Sequence, residues 1–542
     1  MSDAAQSYER NWLRHPRLRE AAQLIEHGQM GAASGTLRGF LKAHPGDAHA
    51  LHLLGEIAYR QGRTDQALAS WGQCVDIAPD FTPARHQYAA ALLGAARADV
   101  ALLHSDQLLK RDSRNPDYRA LKARALEALD DYSAAADLWR GLLKEYPDRA
   151  YFWTCYGYVL RGLGMLPESI AACRKVIELD PASGSAWWNL ADIKTFRFAE
   201  ADIQQMEKQI ANAELPAAGR ACVHFALGKA HGDLKQYETS FGHYAKGNAL
   251  RRLALPHDPD VLTAYVARSK LVFSEEFFRA RSGRGCESPD PIFIVGMMRS
   301  GSTLVEQILS SHSQVEGTRE LAEVAAASHH LQRFASKKGC DFPSILERVD
   351  AGVFCQLGER YLENTRVHRK LGRPYFIDKM GANFGHVGLI HLLLPNAKIV
   401  DVRRHPLACG FSIFSQYFPK GQNNTYKLAD IGRNYRDYVE LMAHFDRVLP
   451  ARIHRVFYES LIAEPEAEIR RLLAYLGLPF EESCRDFHRT ERTIATVSAE
   501  QVRSPIYHTA LEHWRNYEPW LAPLKEVLGA VLDDYPAAPE FH

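Results

Sequence analysis

The amino-acid sequence predicts an α-solenoid followed by an α/β domain with a doubly wound parallel sheet. Small residues recur every 34 positions through the first 250 residues, a repeat length typical of helical arrays. In the second half, four short apolar segments lie at 291–296, 374–378, 397–403 and 452–458, and helical patterns separate them. This alternation favours a parallel sheet, whose ligands bind at the carboxyl ends of the strands.

Two phased series of small residues define the repeats. The first comprises Ala21, Gly55, Ala89, Ala123, Gly157 and Ala191, and the second, twelve residues later, comprises Ala33, Ala67, Ala101, Ala135 and Ser169. Proline closes most of the units. The pattern resembles a tetratricopeptide array, in which paired helices cross closely at small residues. We expect a right-handed solenoid of about six or seven repeats, the last out of phase at 219–250.

The concave groove of such an array usually binds a peptide or protein, so we expect a partner of that class. The alternative is a scaffold that only stabilises the second domain or joins it into a homodimer. A chain of 542 residues is longer than one core normally supports, and the repeat pattern stops near residue 250. We therefore predict a solenoid at 1–253, a connector at 254–290 with one amphipathic helix at 261–278, and the α/β domain at 291–542.

Composition excludes several classes of protein. The formal net charge is +1, from 66 basic and 65 acidic residues, so bulk charge predicts neither nucleic-acid nor membrane-surface binding. No sequence window holds the roughly 18 apolar residues of a membrane span. The nine cysteines include no C-x-x-C pair, which favours buried free thiols over disulfides or a metal site. We expect a soluble, cytoplasmic protein.

A loop near residue 300 has the spacing of a phosphate-binding loop. A buried strand ends near Gly296, Gly301 permits a tight turn, and helical spacing resumes at Thr303. Such a loop directs backbone N–H groups and the positive end of a helix dipole toward an anion. The bound group is therefore predicted to be a phosphate or a sulfate.

The lysine of nucleotide hydrolases is missing from this loop. Ser302 stands at the lysine position, and the cation lies earlier, at Arg299. A downstream Asp401 lies inside a predicted strand and is followed, after Val402, by Arg403 and Arg404, which we interpret as anion ligands rather than as part of a magnesium site. The spacing alone is also compatible with a strand-to-helix turn that binds nothing.

Four motifs in order resemble the sulfotransferases that use 3′-phosphoadenosine 5′-phosphosulfate (PAPS), and most closely the protein-tyrosine sulfotransferases. The resemblance covers roughly the last 250 residues. It implies a 5′-phosphosulfate loop, a general base, a catalytic lysine and a 3′-phosphate site, carried respectively by Arg299-Ser300-Gly301-Ser302-Thr303, Glu320, Lys379, and Arg404 with Ser412.

Weaker matches follow toward the end of the chain. They place Tyr458 beside the cofactor, and Ser498 and Arg503 in a loop over the 3′-phosphate. Where the tyrosine-sulfating relatives carry a cofactor lysine, this sequence has His513, a poor permanent cation near neutral pH. Arg503 and Arg515 are the alternative sources of that charge. The arginine that follows the base in those relatives is Leu321 here, which leaves the identity of the acceptor open.

The chemistry of sulfuryl transfer requires the same residue types, namely cations and a carboxylate. The transition state is loose and anionic, so catalysis consists mostly of positioning and cationic stabilisation, for which Arg299 and Lys379 are suited. Glu320 can take the proton of the attacking hydroxyl. No metal is required. In the alternative interpretations, Glu320 only begins a helix, and Lys379 and Arg404 are solvated charges. We expect His312, at a helix end, to be structural rather than a rival base.

These observations predict a PAPS-dependent sulfotransferase that modifies a hydroxyl of a protein or peptide recruited by the repeats, with tyrosine as one acceptor. A carbohydrate or small-molecule acceptor is the alternative within the enzyme class. A nucleotide-binding adaptor without turnover is the alternative outside it, and the joint presence of Glu320 and Lys379 disfavours it.

Overall fold

The computed structural model describes residues 15–337, 339–419, 422–490, 492, 501–506 and 511–541. The chain divides into two compact units, Met1–Val159 and Leu160–His542. The nine cysteines all lie in the described ranges and carry free thiols. In that part of the chain, no helix is both long enough and apolar enough to cross a bilayer.

The first unit is a helical repeat array, as the small-residue series predicts. Its helices are α1 Pro16–Glu26, α2 Met30–Ala43, α3 Ala48–Arg60, α4 Thr64–Ile77, α5 Thr82–Gly94, α6 Ala98–Arg111, α7 Pro116–Ala128, α8 Tyr132–Glu145 and most of α9 Ala150–Gly162. Gly55 shows why small residues recur, since a Cβ there would lie 2.5 Å from Nε1 of the buried Trp71. The small side chain lets α3 and α4 cross closely.

The second unit begins with further repeat-like helices. They are α10 Leu166–Leu179, α11 Gly184–Ala191, α12 Glu200–Ala211, α13 Ala217–Asp233 and α14 Tyr237–Ala254. Gly228 on α13 faces Tyr244 on α14, and a Cβ at Gly228 would lie 2.6 Å from the tyrosine ring. The same small-residue crossing therefore operates here, twelve residues before Ser240 as the sequence series indicates.

Helix α14 also packs against the α/β part of the chain. Asn248 donates a hydrogen bond of 2.8 Å to the Phe414 carbonyl, and the Phe241 ring stacks on those of Phe414 and Trp520 at 5.6 and 5.5 Å. The repeat-like helices from Leu166 to Ala254 thus share one compact unit with the sheet. The predicted division at 253/254 follows the repeat pattern, and as a domain boundary it stays a prediction.

The connector contains two helices, where the sequence suggested one. Helix α15 covers Asp260–Val272 and α16 covers Glu275–Arg279. Between them, the Ser274 hydroxyl caps α16 by accepting a 3.1 Å hydrogen bond from the Phe277 N–H. Phe273 is only 1% exposed, so the break lets a large side chain enter the core.

Five parallel strands form the sheet, in the order β2-β3-β1-β4-β5. They are β1 Pro291–Gly296, β2 Val315–Gly317, β3 Tyr375–Lys379, β4 Lys398–Arg403 and β5 Ile453–Phe457. The predicted parallel sheet and four of its strands are confirmed. The three-residue β2 was not predicted as a strand.

Helices cover the sheet and carry part of the site. They are α17 Ser302–Ser310, α18 Glu323–Lys337, α19 Ala351–Thr365, α20 Val387–Leu393, α21 Pro406–Phe414, α22 Leu428–Val448, α23 Tyr458–Ala463, α24 Pro465–Leu476, α25 Glu482–Arg485, α26 Ala522–Leu528 and α27 Ala530–Asp533. The central strand β1 lies between β3 and β4 and is completely buried. Its loop into α17 therefore opens at the point where the strand order reverses, the usual ligand position in such sheets.

Candidate functional site

The loop from β1 to α17 is held in an unusual backbone conformation. Gly301 has φ +102° and Arg299, which is not a glycine, has φ +65°. Positive φ at a long side chain is costly and concentrates at functional sites. A Cβ on Gly301 would overlap the Tyr458 ring. Glycine at this position is required both by the backbone and by the close approach of Tyr458.

A cavity of 670 Å³ lies beyond the carboxyl ends of β1, β3, β4 and β5, with Gly296, Lys379, Arg404 and Tyr458 in its wall. Eight of the residues singled out in the sequence line it, namely Arg299, Gly301, Ser302, Thr303, Glu320, Lys379, Arg404 and Tyr458. The fold therefore brings together side chains that are up to 159 positions apart in the sequence.

Arg299 and Arg404 form a cationic cluster on one side of the cavity. Arg299 Nε donates a 3.0 Å hydrogen bond to Ser412 Oγ on α21, and Arg404 Nη1 lies 3.3 Å from the Arg299 carbonyl oxygen, to which it donates. The Arg404 guanidinium also stacks over the Tyr458 ring at 4.8 Å. These contacts orient two guanidinium groups toward a shared space, which suits a ligand with two phosphate-like groups.

Lys379 lies at the end of β3 between two carboxylates. Its Nζ is 2.6 Å from Glu320 Oε1 and 4.0 Å from Glu306 Oε2. Lys379 and Glu306 are each 3% exposed at the side chain, whereas Glu320 is 55% exposed. A buried ammonium group is thus compensated from behind by a buried carboxylate and from the cavity side by an accessible one.

Several predicted ligands lie outside the cavity wall. Ser300 is 1% exposed, and its Oγ has no hydrogen-bond partner among the described residues. Ser412 contacts Arg299 rather than the cavity. Arg503 donates to the carbonyl oxygens of Gly162 at 3.0 Å and Arg492 at 3.1 Å. The predicted Ser498 lies outside the described residues.

His513 is likewise placed away from the cavity. Its ring lies 6.1 Å from that of Phe411 and 5.5 Å from that of Tyr517. Burial lowers its pKa below the ordinary histidine value, and Arg404 adds to this effect while Asp233 opposes it. The neutral ring is favoured, and a role for His513 in place of the cofactor lysine stays a prediction.

Arg403 corrects one sequence expectation. It was interpreted with Arg404 as an anion ligand, yet it is 2% exposed and lies 3.2 Å from the buried Asp401. Its guanidinium also stacks over Tyr438 at 5.2 Å. The expectation is wrong for Arg403, because this last residue of β4 is on the same face of the strand as Asp401. Arg404, the first residue after the strand, lines the cavity. His312 is fully buried within 3.0 Å of the Pro479 carbonyl, as a structural histidine would be.

Sequence reasoning missed Glu306 and Arg492. Arg492 Nη2 lies 3.0 Å from Glu306 Oε1, and its Nε donates a 2.6 Å hydrogen bond to Gln307. Glu306 lies one turn into α17, and the only available signal was a charged residue within the otherwise apolar pattern around Leu304 and Ile308.

A second group that the sequence did not indicate connects the repeat helices to the loop after α21. Arg161 contacts Asp192 at 2.5 Å, and Gln416 donates to Asp192 at 3.0 Å. Lys194 donates to Gln416 at 3.2 Å. Burial opposes ionisation of Asp192, but Lys194 and Arg161 outweigh it and lower its pKa to about 2. Burial, with a contribution from the charge of Arg299, lowers the pKa of Lys194 to about 8.

A second cavity, of 340 Å³, shares Leu262, Asn424 and Asn434 with the first. The remaining lining residues are mostly polar: His257, Pro259, Asn423, Asp430, Arg433 and Asp437. Burial raises the pKa of Asp437, whose Oδ2 accepts a 2.7 Å hydrogen bond from Thr263. The site thus extends from a cationic region into an amide- and carboxylate-lined compartment.

Comparisons with known proteins match different parts of the chain to two families. Residues 291–482 match the model of the sulfotransferase family, and residues 18–80 and 120–184 match that of the tetratricopeptide repeat. An uncharacterized protein of Aquifex aeolicus is 28% identical over 524 residues, covering 93% of this chain and 68% of that protein.

Similarity to named enzymes is confined to part of the chain. The protein-tyrosine sulfotransferase of Drosophila melanogaster is 24% identical over 270 residues, which cover 46% of this chain and 53% of that enzyme. Among solved structures, the sulfotransferase domain of the Synechococcus PCC 7002 olefin synthase is 21% identical, with a TM-score of 0.33, over 42% of this chain and 88% of that domain.

Proposed function

Because a sulfotransferase-family domain follows an array of tetratricopeptide repeats in this chain, we propose that it transfers the sulfuryl group of PAPS to a hydroxyl acceptor. The observation that carries the proposal is the Lys379–Glu320 pair of 2.6 Å in the cavity that Arg299 and Arg404 also line. Donor binding alone would require the cations but not an accessible carboxylate beside them. This disfavours a nucleotide-binding adaptor without turnover.

The residues present fit the donor. Arg299 and the backbone of the loop from Ser300 to Thr303 would hold its 5′-phosphosulfate end, since Gly301 has φ +102° and leaves no room for a Cβ between the loop and Tyr458. Arg404, with Arg299 oriented by Ser412, would hold the 3′-phosphate. Tyr458 would contact the donor beside Gly301. We propose no metal, since cationic side chains can supply the positive charge.

Glu320 and Lys379 divide the chemistry between them. The acceptor oxygen forms a bond to sulfur as the bond from sulfur to the phosphate oxygen breaks, giving the sulfated acceptor and 3′-phosphoadenosine 5′-phosphate. Glu320 takes the hydroxyl proton, and its 55% exposure leaves it accessible to an incoming acceptor. Lys379 and Arg299 stabilise the negative charge that develops on the departing phosphate oxygen.

We propose a protein or peptide acceptor, with tyrosine as one possibility, recruited by the repeats of the first unit. Exposed aromatic residues support this, because Tyr59 on α3 is 48% exposed and Tyr151 on α9 is 52% exposed. The second candidate is a carbohydrate or small-molecule acceptor, and the polar lining of the 340 Å³ compartment favours it. A cytoplasmic location and a possible homodimer remain part of the proposal.

Transfer from a donor labelled with radioactive sulfate tests the reaction. In Glu320→Ala we expect transfer to fall by about 100-fold or more with little change in the affinity for 3′-phosphoadenosine 5′-phosphate. In Arg404→Ala we expect that affinity to fall by about 10-fold. Arg485→Ala is the matched control, since Arg485 is 46% exposed, pairs with Glu482 on α25 and lies outside the cavity wall. Unchanged transfer in Glu320→Ala would exclude it as the base.

Recruitment by the repeats needs a separate experiment. The double substitution of Tyr59 and Tyr151 by serine should raise the KM for a protein acceptor, identified by labelling a cell extract, without changing the KM for the donor. Leu103→Ser is the control, because Leu103 is 63% exposed but lies on α6, the second helix of its pair. An equal rise of the acceptor KM in the double tyrosine variant and in Leu103→Ser would contradict a binding surface formed by the first helix of each pair.

A further inference from the structure

Glu306 is a buried carboxylate that the reaction as described does not use. It lies on α17, the helix that begins at the anion-binding loop, and is 3% exposed. Its Oε1 is 3.0 Å from Arg492 Nη2, and its Oε2 is 4.0 Å from Lys379 Nζ. Among the described residues, Oε2 accepts no hydrogen bond. One carboxylate oxygen is thus engaged, and the other faces the ammonium group of the lysine.

Burying such a carboxylate costs free energy unless cations or hydrogen-bond donors compensate its charge. A buried polar atom without a hydrogen-bond partner costs roughly 1–3 kcal/mol, and more when the group is charged. An apolar residue at position 306 would fit the pattern of its neighbours Leu304, Val305 and Ile308, which are all buried. Glu306 is therefore stabilised through the two cations beside it, Lys379 and Arg492.

The pairing of Lys379 shows what the second carboxylate can do. With Nζ 2.6 Å from Glu320, the carboxylate that must accept a proton is occupied by the lysine that must contact the departing phosphate. Both groups become available only when Nζ moves from Glu320 toward an anion in the cavity. Glu306 Oε2 lies on the buried side of the lysine and can accept a hydrogen bond from Nζ as it moves.

On the basis of the proposed function, we propose that Glu306 is a positioning residue for Lys379. It holds the lysine while the ammonium group moves from Glu320 to the donor, so that the base is released only when donor is bound. The anionic donor competes with Glu320 for the lysine. Glu306 compensates the buried ammonium group from behind throughout. Glu320 then accepts the proton of the acceptor hydroxyl, and no additional reactant is needed.

Glu306→Gln tests this assignment, because glutamine keeps the size of the side chain and removes its charge. Lys379 then has only Glu320 as a carboxylate partner and should remain on it. We expect kcat to fall by about 10- to 100-fold, with the donor KM changed by less than about 3-fold. Glu306→Asp should restore part of kcat.

Binding and stability measurements separate positioning from a structural role. Calorimetric titration of Glu306→Gln with 3′-phosphoadenosine 5′-phosphate should give an affinity within about 3-fold of the unsubstituted protein. Glu316→Gln is the matched control, since Glu316 is 1% exposed and pairs with Arg369 at 3.4 Å, away from Lys379. It should lower the melting temperature while kcat stays within about 2-fold.

Three results would overturn the inference. They are an unchanged kcat in Glu306→Gln, no recovery of kcat in Glu306→Asp, or a loss of nucleotide affinity and melting temperature that matches the loss of kcat and is also seen in Glu316→Gln. Failure of the proposed function is distinguishable, because in that case the unsubstituted protein would itself bind the nucleotide without transferring sulfate.

Discussion

The repeat helices before Val159 and those between Leu160 and Ala254 use the same local packing for different purposes. Gly55 opposite Trp71 and Gly228 opposite Tyr244 both admit a large ring where two helices cross. In the second set, the neighbouring Ser240 also lies 3.0 Å from the Tyr517 hydroxyl of the α/β part. A repeat pattern therefore predicts how two helices cross, while the remaining faces of those helices are determined by what packs against them.

The two sets also differ in their buried carboxylates. Burial raises the pKa of Glu127 on α7 to about 7, against a smaller opposing effect of the hydrogen bond from Trp139. Asp192, after α11, has its pKa lowered to about 2 by Lys194 and Arg161, which outweigh burial. Ionised Glu127 destabilises the folded state, whereas ionised Asp192 stabilises it. The contributions of the two carboxylates to the free energy of unfolding should therefore change with pH in opposite directions.

The largest expected difference concerns the two glycines. Gly228→Val should destabilise the second unit by about 1–3 kcal/mol or more and abolish transfer, because a Cβ would meet the buried Tyr244 ring. Gly55→Val should cost a similar amount in the first unit, with nucleotide affinity retained. Calorimetric melting and nucleotide titration of both variants measure these effects. Equal loss of nucleotide affinity in both would remove the distinction between the two sets.

Glu127→Gln should stabilise the repeat array at pH 8 by about 2–3 kcal/mol. The folded-state pKa of about 7 exceeds the ordinary 4.5, so the unsubstituted protein loses stability as pH rises from about 4.5 to 7. The variant should lack this loss, while glutamine can still accept the hydrogen bond from Trp139. Melting temperatures from pH 5 to 8 test the prediction. Asp137→Asn, at a 73% exposed residue, should change little.

Asp192→Asn should change stability in the opposite direction from Glu127→Gln. It should lower the free energy of unfolding by about 2 kcal/mol at pH 7. A pKa lowered from 3.8 to about 2 gives stability that is present above pH 4 and lost as the pH falls toward 2. The variant should already lack that contribution at neutral pH. Acid unfolding followed by circular dichroism tests it, with the exposed Asp180→Asn as control. An unchanged acid transition in Asp192→Asn would contradict the pairing.

The smallest expected effect is that of Lys194→Met on donor affinity. Because the charge of Lys194 lies near that of Arg299, its removal should weaken nucleotide binding by about 3-fold. In the unsubstituted protein, the affinity should also decline as pH rises through about 8, where Lys194 loses its proton. Titrations at pH 7 and 9 measure both effects. Lys175→Met, at an ion pair on α10, should behave like the unsubstituted protein.

The sequence predicts those parts of the structure in which local pattern and position coincide. Period-34 small residues predict the helix pairs, and short apolar runs predict four strands. Three residues of β2 carry too little pattern to register as a strand. In the site, Arg299, Glu320, Lys379 and Arg404 follow strands in recognisable motifs and reach one cavity.

The less accurate expectations have a physical explanation. Arg403 and Arg404 are adjacent, and only the register of β4 determines which of them reaches the cavity. Arg503 and His513 belong to a part of the chain without strand or helix motifs before them, so counting along the sequence does not fix where they point. Glu306 is hidden in an apolar helical pattern, and its role depends on Lys379, a residue 73 positions away.

The hydrogen bond from Asn248 to the Phe414 carbonyl bears on how such proteins can be engineered. Phe414 ends α21, the helix that also holds Ser412 against Arg299. A chimera joined where the repeat pattern stops would replace the residues on which this helix rests. The repeat helices nearest the sheet therefore cannot be exchanged independently of it, and a chimera with a new repeat array should keep everything from Leu160 onward.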